Sequence, residues 1–104
     1  MNNRISLLRQ YIEEDPADPF SRYALSLELI KSGNDDEALR QMEIVAKNHP
    51  DYLPNYYHYG KLVERLGNPD MAIEIYKQGM TVAQKHNDMH TLSELRGAID
   101  LTGE

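Results

Sequence analysis

Sliding the chain against itself by 34 residues brings two stretches into register. Tyr23 falls on Tyr57, Gly33 on Gly67, Asn34 on Asn68, Asp36 on Asp70 and Ala38 on Ala72. Leu25-Ser26 falls on Tyr59-Gly60, a large apolar residue followed by a tiny one. A period of this length marks a repeated supersecondary unit, which cannot bury its apolar face alone and stacks on its neighbour. The paired residues indicate which unit. Gly33 and Gly67 supply a left-handed helix stop, and the asparagine after each can cap a new helix. Antiparallel helices approach closely only where side chains are small, so Ser26 is expected against Ala38 and Gly60 against Ala72.

Helix signals fill the rest of the chain. Asp18-Pro19 reads as an N-cap followed by proline in the first turn, and Phe20, Tyr23, Ala24, Leu27 and Ile30 then recur at helical spacing. Asn34 with Glu37 three residues on resembles a capping box. The stripe Ala38, Met42, Val45 and Ala46 follows and runs out before Pro50. Pro54 opens a helix with Tyr56, Tyr59, Leu62, Val63 and Leu66, and Asn68-Pro69 opens another with Ala72, Ile73, Tyr76, Met80 and Ala83. Asp88 precedes Leu92, Leu95 and Ile99, with Gly103 as terminator. Ile5, Leu8, Tyr11 and Ile12 make a short amphipathic helix closed by Asp15-Pro16. No alternating strand pattern or hairpin turn occurs, so the expected fold is all-α with about six helices.

At the repeated residues the sequence resembles the tetratricopeptide repeat family, with its large–small pair, its turn glycine and its second-helix alanine. Pro50 matches the family's closing proline. The resemblance implies one domain over 1–104, a right-handed α-solenoid of antiparallel helix hairpins. Residues 4–16 resemble an N-terminal half unit, 19–52 and 53–86 two full repeats, and 88–103 a C-terminal capping helix. Three positions depart from the family pattern. Arg22 stands where tryptophan is favoured, and Gln84 replaces a closing proline, which implies a longer helix to about Lys85 with 86–88 as the turn. Arg96 stands where a small residue is usual, tolerable if no further helix presses on it.

Composition narrows the function classes. A net charge of −6 leaves no basic stripe to neutralise phosphates, so nucleic acid is not an expected partner. There is no cysteine, hence no disulfide frame or thiolate nucleophile, which suits a cytoplasmic protein. The opening MNNRISLLRQYIEED lacks the apolar run of a signal peptide, and no stretch is apolar enough to span a membrane. The glycines punctuate helices singly rather than forming a phosphate loop, and the acid clusters Glu13-Glu14-Asp15 and Asp35-Asp36-Glu37 sit at helix ends. No enzyme activity and no cofactor are expected. His86, Asp88 and His90 crowd three potential ligands together, the basis of a weaker reading as a small metal-binding protein. Asp88 reads instead as a cap interrupting the helix.

The stretch Leu53 to Leu62, LPNYYHYGKL, concentrates three tyrosines and a histidine. The register sorts them: Tyr56 and Tyr59 go to the core, and Tyr57, His58 and Lys61 face outward. By the family resemblance, the first helix of each unit lines a concave groove that takes an extended peptide or a partner's helix. The residues implied are Phe20, Tyr23, Leu27 and Ile30 in the first unit, and Tyr57, His58, Lys61, Glu64 and Arg65 in the second. Ser93 and Gly97 contribute from the last helix. A clamp for a partner's C-terminal carboxylate, known in some of the family, is not implied, because Tyr23, Leu27 and His58 hold its positions. The expected partner is a protein or peptide. Two alternatives remain for the apolar end: a terminal helix covers Leu27 and Ile30, or a homodimer buries them.

Overall fold

The computed structural model describes residues 3–103. They form six helices and, among the described residues, no strand: α1 (Asn3–Glu14), α2 (Pro19–Lys31), α3 (Asp35–Asn48), α4 (Pro54–Arg65), α5 (Pro69–Lys85) and α6 (Met89–Thr102). The chain divides into two compact units, Met1–Pro50 and Asp51–Glu104.

In the first unit α1 packs on α2 and α2 on α3. Asp18 starts α2, its carboxylate accepting from the Phe20 N–H at 3.0 Å and from Ser21 Oγ at 2.8 Å. Gly33 ends α2 at φ +81, a left-handed conformation that glycine adopts without penalty. The stop is a Schellman motif, with the Asn34 N–H donating to Leu29 O and the Gly33 N–H to Ile30 O. That occupies the Asn34 N–H, so the expected capping box closes on one side only. Asn34 Oδ1 accepts from the Glu37 N–H at 3.4 Å, but the Glu37 carboxylate turns to Arg9 of α1, whose Nη2 donates to Oε1 at 2.9 Å. Arg22, the departure from tryptophan, becomes a tie: it donates to Gln41 Oε1 of α3 and to the Pro16 carbonyl.

Leu8, Ala24, Leu25, Leu29, Ala38, Met42 and Val45 are buried here, each large aliphatic side chain contributing roughly 1.5–3 kcal/mol. The expected stripe of α1 is narrower than its sequence pattern. Leu8 is fully inside and Ile5 and Ile12 are half-buried, whereas Tyr11 is 43% exposed along with Leu7. A helix that packs on a single neighbour buries only a narrow seam.

In the second unit α5 packs on both α4 and α6, and α6 also touches α4. The α4–α5 joint repeats the first unit's motif, with Gly67 at φ +96 and Asn68 Oδ1 capping the Met71 N–H. A third copy joins α5 to α6, with Asn87 at φ +56 in the glycine's place and Asp88 as the cap. Asparagine visits the left-handed region more readily than other side-chain-bearing residues.

The group nearest Gly60 is the Tyr76 ring, with which a Cβ at Gly60 would collide. A second close approach was not anticipated. A Cβ on Gly79 would lie 2.7 Å from Tyr56 Cβ and 3.0 Å from Leu95 Cδ1, so this glycine lets α4 and α6 both close on α5.

Candidate functional site

The expected groove residues of the first unit form one row along α2. At 100° per residue Phe20, Tyr23, Leu27 and Ile30 share a side of the helix. Phe20 is 53% exposed, while Tyr23, Leu27 and Ile30 are half-buried. Burial raises the Tyr23 phenol pKa. The ionic contact from α1 reaches α2 at Glu28, where Arg4 Nε lies 3.4 Å from the carboxylate. Glu28 points about 100° away from Leu27 around the helix.

In the second unit the tyrosine cluster separates as its register requires. Tyr56 and Tyr59 are buried. Tyr57 and His58 are half-exposed, their rings edge-to-face with centroids 5.5 Å apart. Lys61 Nζ lies 5.6 Å from the Tyr57 ring centroid, within cation–π range. Behind them the fully buried Tyr76 ring is tilted against Tyr57 at 6.4 Å. Arg65 is exposed in the last turn of α4, where a cation suits the helix dipole.

Glu64 is engaged within the unit. Its Oε1 accepts from the Tyr76 hydroxyl of α5 at 3.1 Å and from Thr102 Oγ1 of α6 at 2.9 Å. Burial first, then the bond to Glu64, raise the Tyr76 phenol pKa far above its ordinary value. Burial lowers the His58 pKa, and the charge of Glu94 on α6 partly offsets it. Of the expected α6 contributors, Ser93 is exposed and Gly97 half-buried.

Sequence reasoning missed Thr102, Gly79 and the fully buried Asn55, and assigned Tyr76 only to packing. Glu64 carried a usable signal, because it falls one period after the aliphatic Ile30. An acid in that place needs donors.

The histidine–aspartate stretch does not assemble a ligand set. Asp88 is committed to its cap, accepting from the Thr91 N–H at 3.0 Å and Thr91 Oγ1 at 2.8 Å, which holds its pKa below the ordinary value. His90 Nε2 lies 3.7 Å from Glu94 on the same helix. Among the described residues no group of three or more His, Asp or Glu is placed to hold a metal ion. None of the described helices is long and apolar enough to cross a membrane.

Six helices, with glycine- or asparagine-stopped turns at three of their five joints and with the large–small pair and the alanine at one register, define an all-α helical repeat. Among solved structures, a tetratricopeptide repeat domain protein of Salinibacter ruber, determined by NMR in solution, is 45% identical. The match covers 85% of this chain and 89% of that one, with a TM-score of 0.80. A crystal structure of a tetratricopeptide repeat domain protein from the same organism matches at 44% identity, covering 83% and 97%, with a TM-score of 0.80. A protein of Bordetella parapertussis shares the fold at 18% identity, covering 99% and 90%, with a TM-score of 0.82. No protein-family model and no curated protein matches the chain. The chain belongs to the tetratricopeptide repeat family, whose domains are helical repeat modules that typically mediate protein–protein interaction.

Proposed function

We propose that this chain is a non-catalytic interaction module that binds a peptide or helical segment of a partner protein. Phe20, Tyr23, Leu27 and Ile30 on α2 would supply apolar anchors, and Tyr57 on α4 an amphipathic one. Lys61 and Arg65 would select acidic groups, with His58 at the edge of the face. Glu64 belongs to the same face by register, although its carboxylate is held from behind. The observation that carries the reading is the unbroken apolar row of α2 with Phe20 more than half exposed. Such rows on a protein surface commonly mark interaction sites. Capture from extract of the native cell tests it. Wild type is expected to retain a partner that the Leu27→Glu variant loses, with helicity unchanged by circular dichroism. Equal capture by both would remove the α2 row from the site.

Self-assembly that buries the same α2 row against a second copy is the second reading, favoured by its apolar side chains with Phe20 53% exposed. Light scattering at micromolar concentration separates the two. A strict monomer excludes self-assembly, whereas a dimer dissociated by Leu27→Glu assigns the row to a second copy.

A further inference from the structure

Glu64 follows Lys61 by three residues on α4, a spacing at which lysine and glutamate on one helix ordinarily pair. Here they do not. The Glu64 carboxylate accepts from two hydroxyls brought by other helices, Tyr76 at 3.1 Å and Thr102 at 2.9 Å. Lys61 forms no ion pair among the described residues, and its ammonium rests over the Tyr57 ring at 5.6 Å. The two donors differ in firmness. Thr102 Oγ1 is also 2.8 Å from the Ala98 carbonyl, so its single proton is shared between two acceptors. Tyr76 is held more firmly, because its ring is fully buried and fills the space left by Gly60.

We propose that Tyr76 and Thr102 are positioning residues that hold the Glu64 carboxylate off Lys61, leaving the Lys61 ammonium on the Tyr57 ring and open to a carboxylate of an acidic partner segment. This rests on the interaction-module reading and narrows it. Glu64 becomes a residue that must be restrained for the face to stay cationic, rather than a contact to the partner. Without the two hydroxyls, Lys61 and Glu64 would neutralise each other one turn along α4.

The test reads Lys61 directly by NMR. In wild type, the Lys61 Hε protons are expected upfield of an exposed lysine because they lie over an aromatic ring. Tyr76→Phe combined with Thr102→Val should move them downfield, and adding Glu64→Gln should return them upfield, since the glutamine carries no charge to capture the ammonium. A purely structural role for the hydroxyls would not show this rescue. Thr102→Val alone leaves the Tyr76 ring in place and gives a smaller downfield shift, which keeps the test usable if the double variant unfolds. Titration with a hexaglutamate peptide forms the second arm. The double variant should bind about twofold more weakly than wild type, the worth of one such helical pair, and Glu64→Gln should restore binding. Unmoved Lys61 protons in the folded double variant overturn the positioning role. If the protons follow the variants but wild type ignores hexaglutamate, the acidic-partner reading fails on its own.

Discussion

Built on one 34-residue register, the two units solve the same packing problem with different side chains. The first has Ser26 and Met42 where the second has Gly60 and Tyr76, and all four are buried. Volume is exchanged across the hairpin: where α5 carries a tyrosine ring, α4 gives up even its Cβ. The outward faces differ more. Tyr23 recurs as Tyr57, but Leu27 becomes Lys61 and Ile30 becomes Glu64. The first unit therefore offers an apolar row and the second a cation on an aromatic ring. The frame fixes which positions face out, and leaves their chemistry free.

The packing half of this comparison is the easiest to break. Gly60→Ala drives a methyl into the Tyr76 ring, and overpacking of this kind costs about 1–3 kcal/mol, with the upper end expected here because the contact is so short. Adding Tyr76→Met, which imitates the first unit, should recover much of the loss in urea or thermal unfolding. Ser26→Gly, the reverse exchange, should cost only about 1 kcal/mol through backbone entropy. If Gly60→Ala proves as mild as Ser26→Gly, the volume exchange is not the reason for the glycine.

How much of this was legible in the sequence follows from where each residue's partners lie. Caps and stops are local, so Asp18, Gly33, Asn34, Gly67, Asn68 and Asp88 declared themselves, and the assignment of Tyr56 and Tyr59 to the core needed only the register. The turn at 86–88 was expected, but the left-handed place of Asn87 in it was not, because a side-chain-bearing residue does the glycine's work there. The fates of Glu37 and Glu64 were beyond local reading. Each looked like a helix-end or surface acid, yet each takes its donors from other helices, 28 residues away at Arg9 and 12 and 38 away at Tyr76 and Thr102. The register marks Glu64 as an acid in an aliphatic position, in need of donors, but no spacing says which distant residues supply them.

The two restrained acids also make opposite demands on their units. Glu37 is held by a charged partner in a bidentate pair that joins α1 to α3, and the Arg9 guanidinium lowers its pKa. Arg9 is half exposed, so solvent screening limits the pair to about 0.5–1 kcal/mol, and Arg9→Ala should lose no more than that. A depressed carboxylate pKa means that the unfolded chain binds the proton more readily. The contribution is therefore full above the ordinary glutamate value, about 4.3, and is lost as pH falls below it. Wild type and Arg9→Ala should differ in unfolding midpoint near neutrality and converge in acid. A gap that persists below the folded-state pKa would assign the effect to the arginine stem rather than to the ion pair.

His58 gives the smallest effect, and one with no counterpart in the first unit, where Ala24 holds its register position. Half-burial against Tyr57 disfavours the imidazolium, so its folded pKa lies below the ordinary value, while Glu94 pulls the other way. Because the unfolded chain binds this proton more readily, stability from the neutral ring is complete above about pH 6.5 and declines as pH falls through the folded pKa. Glu94→Gln removes a charge that favours the imidazolium. In an NMR pH titration it should lower the His58 midpoint further, by less than one unit since the two groups interact at a partly solvated surface. An upward move would mean that Glu94 acts on His58 through the placement of α6 rather than through its charge. The electrostatic contrast between the two units would then rest on their lysine and acid pairings rather than on a Glu94–His58 attraction.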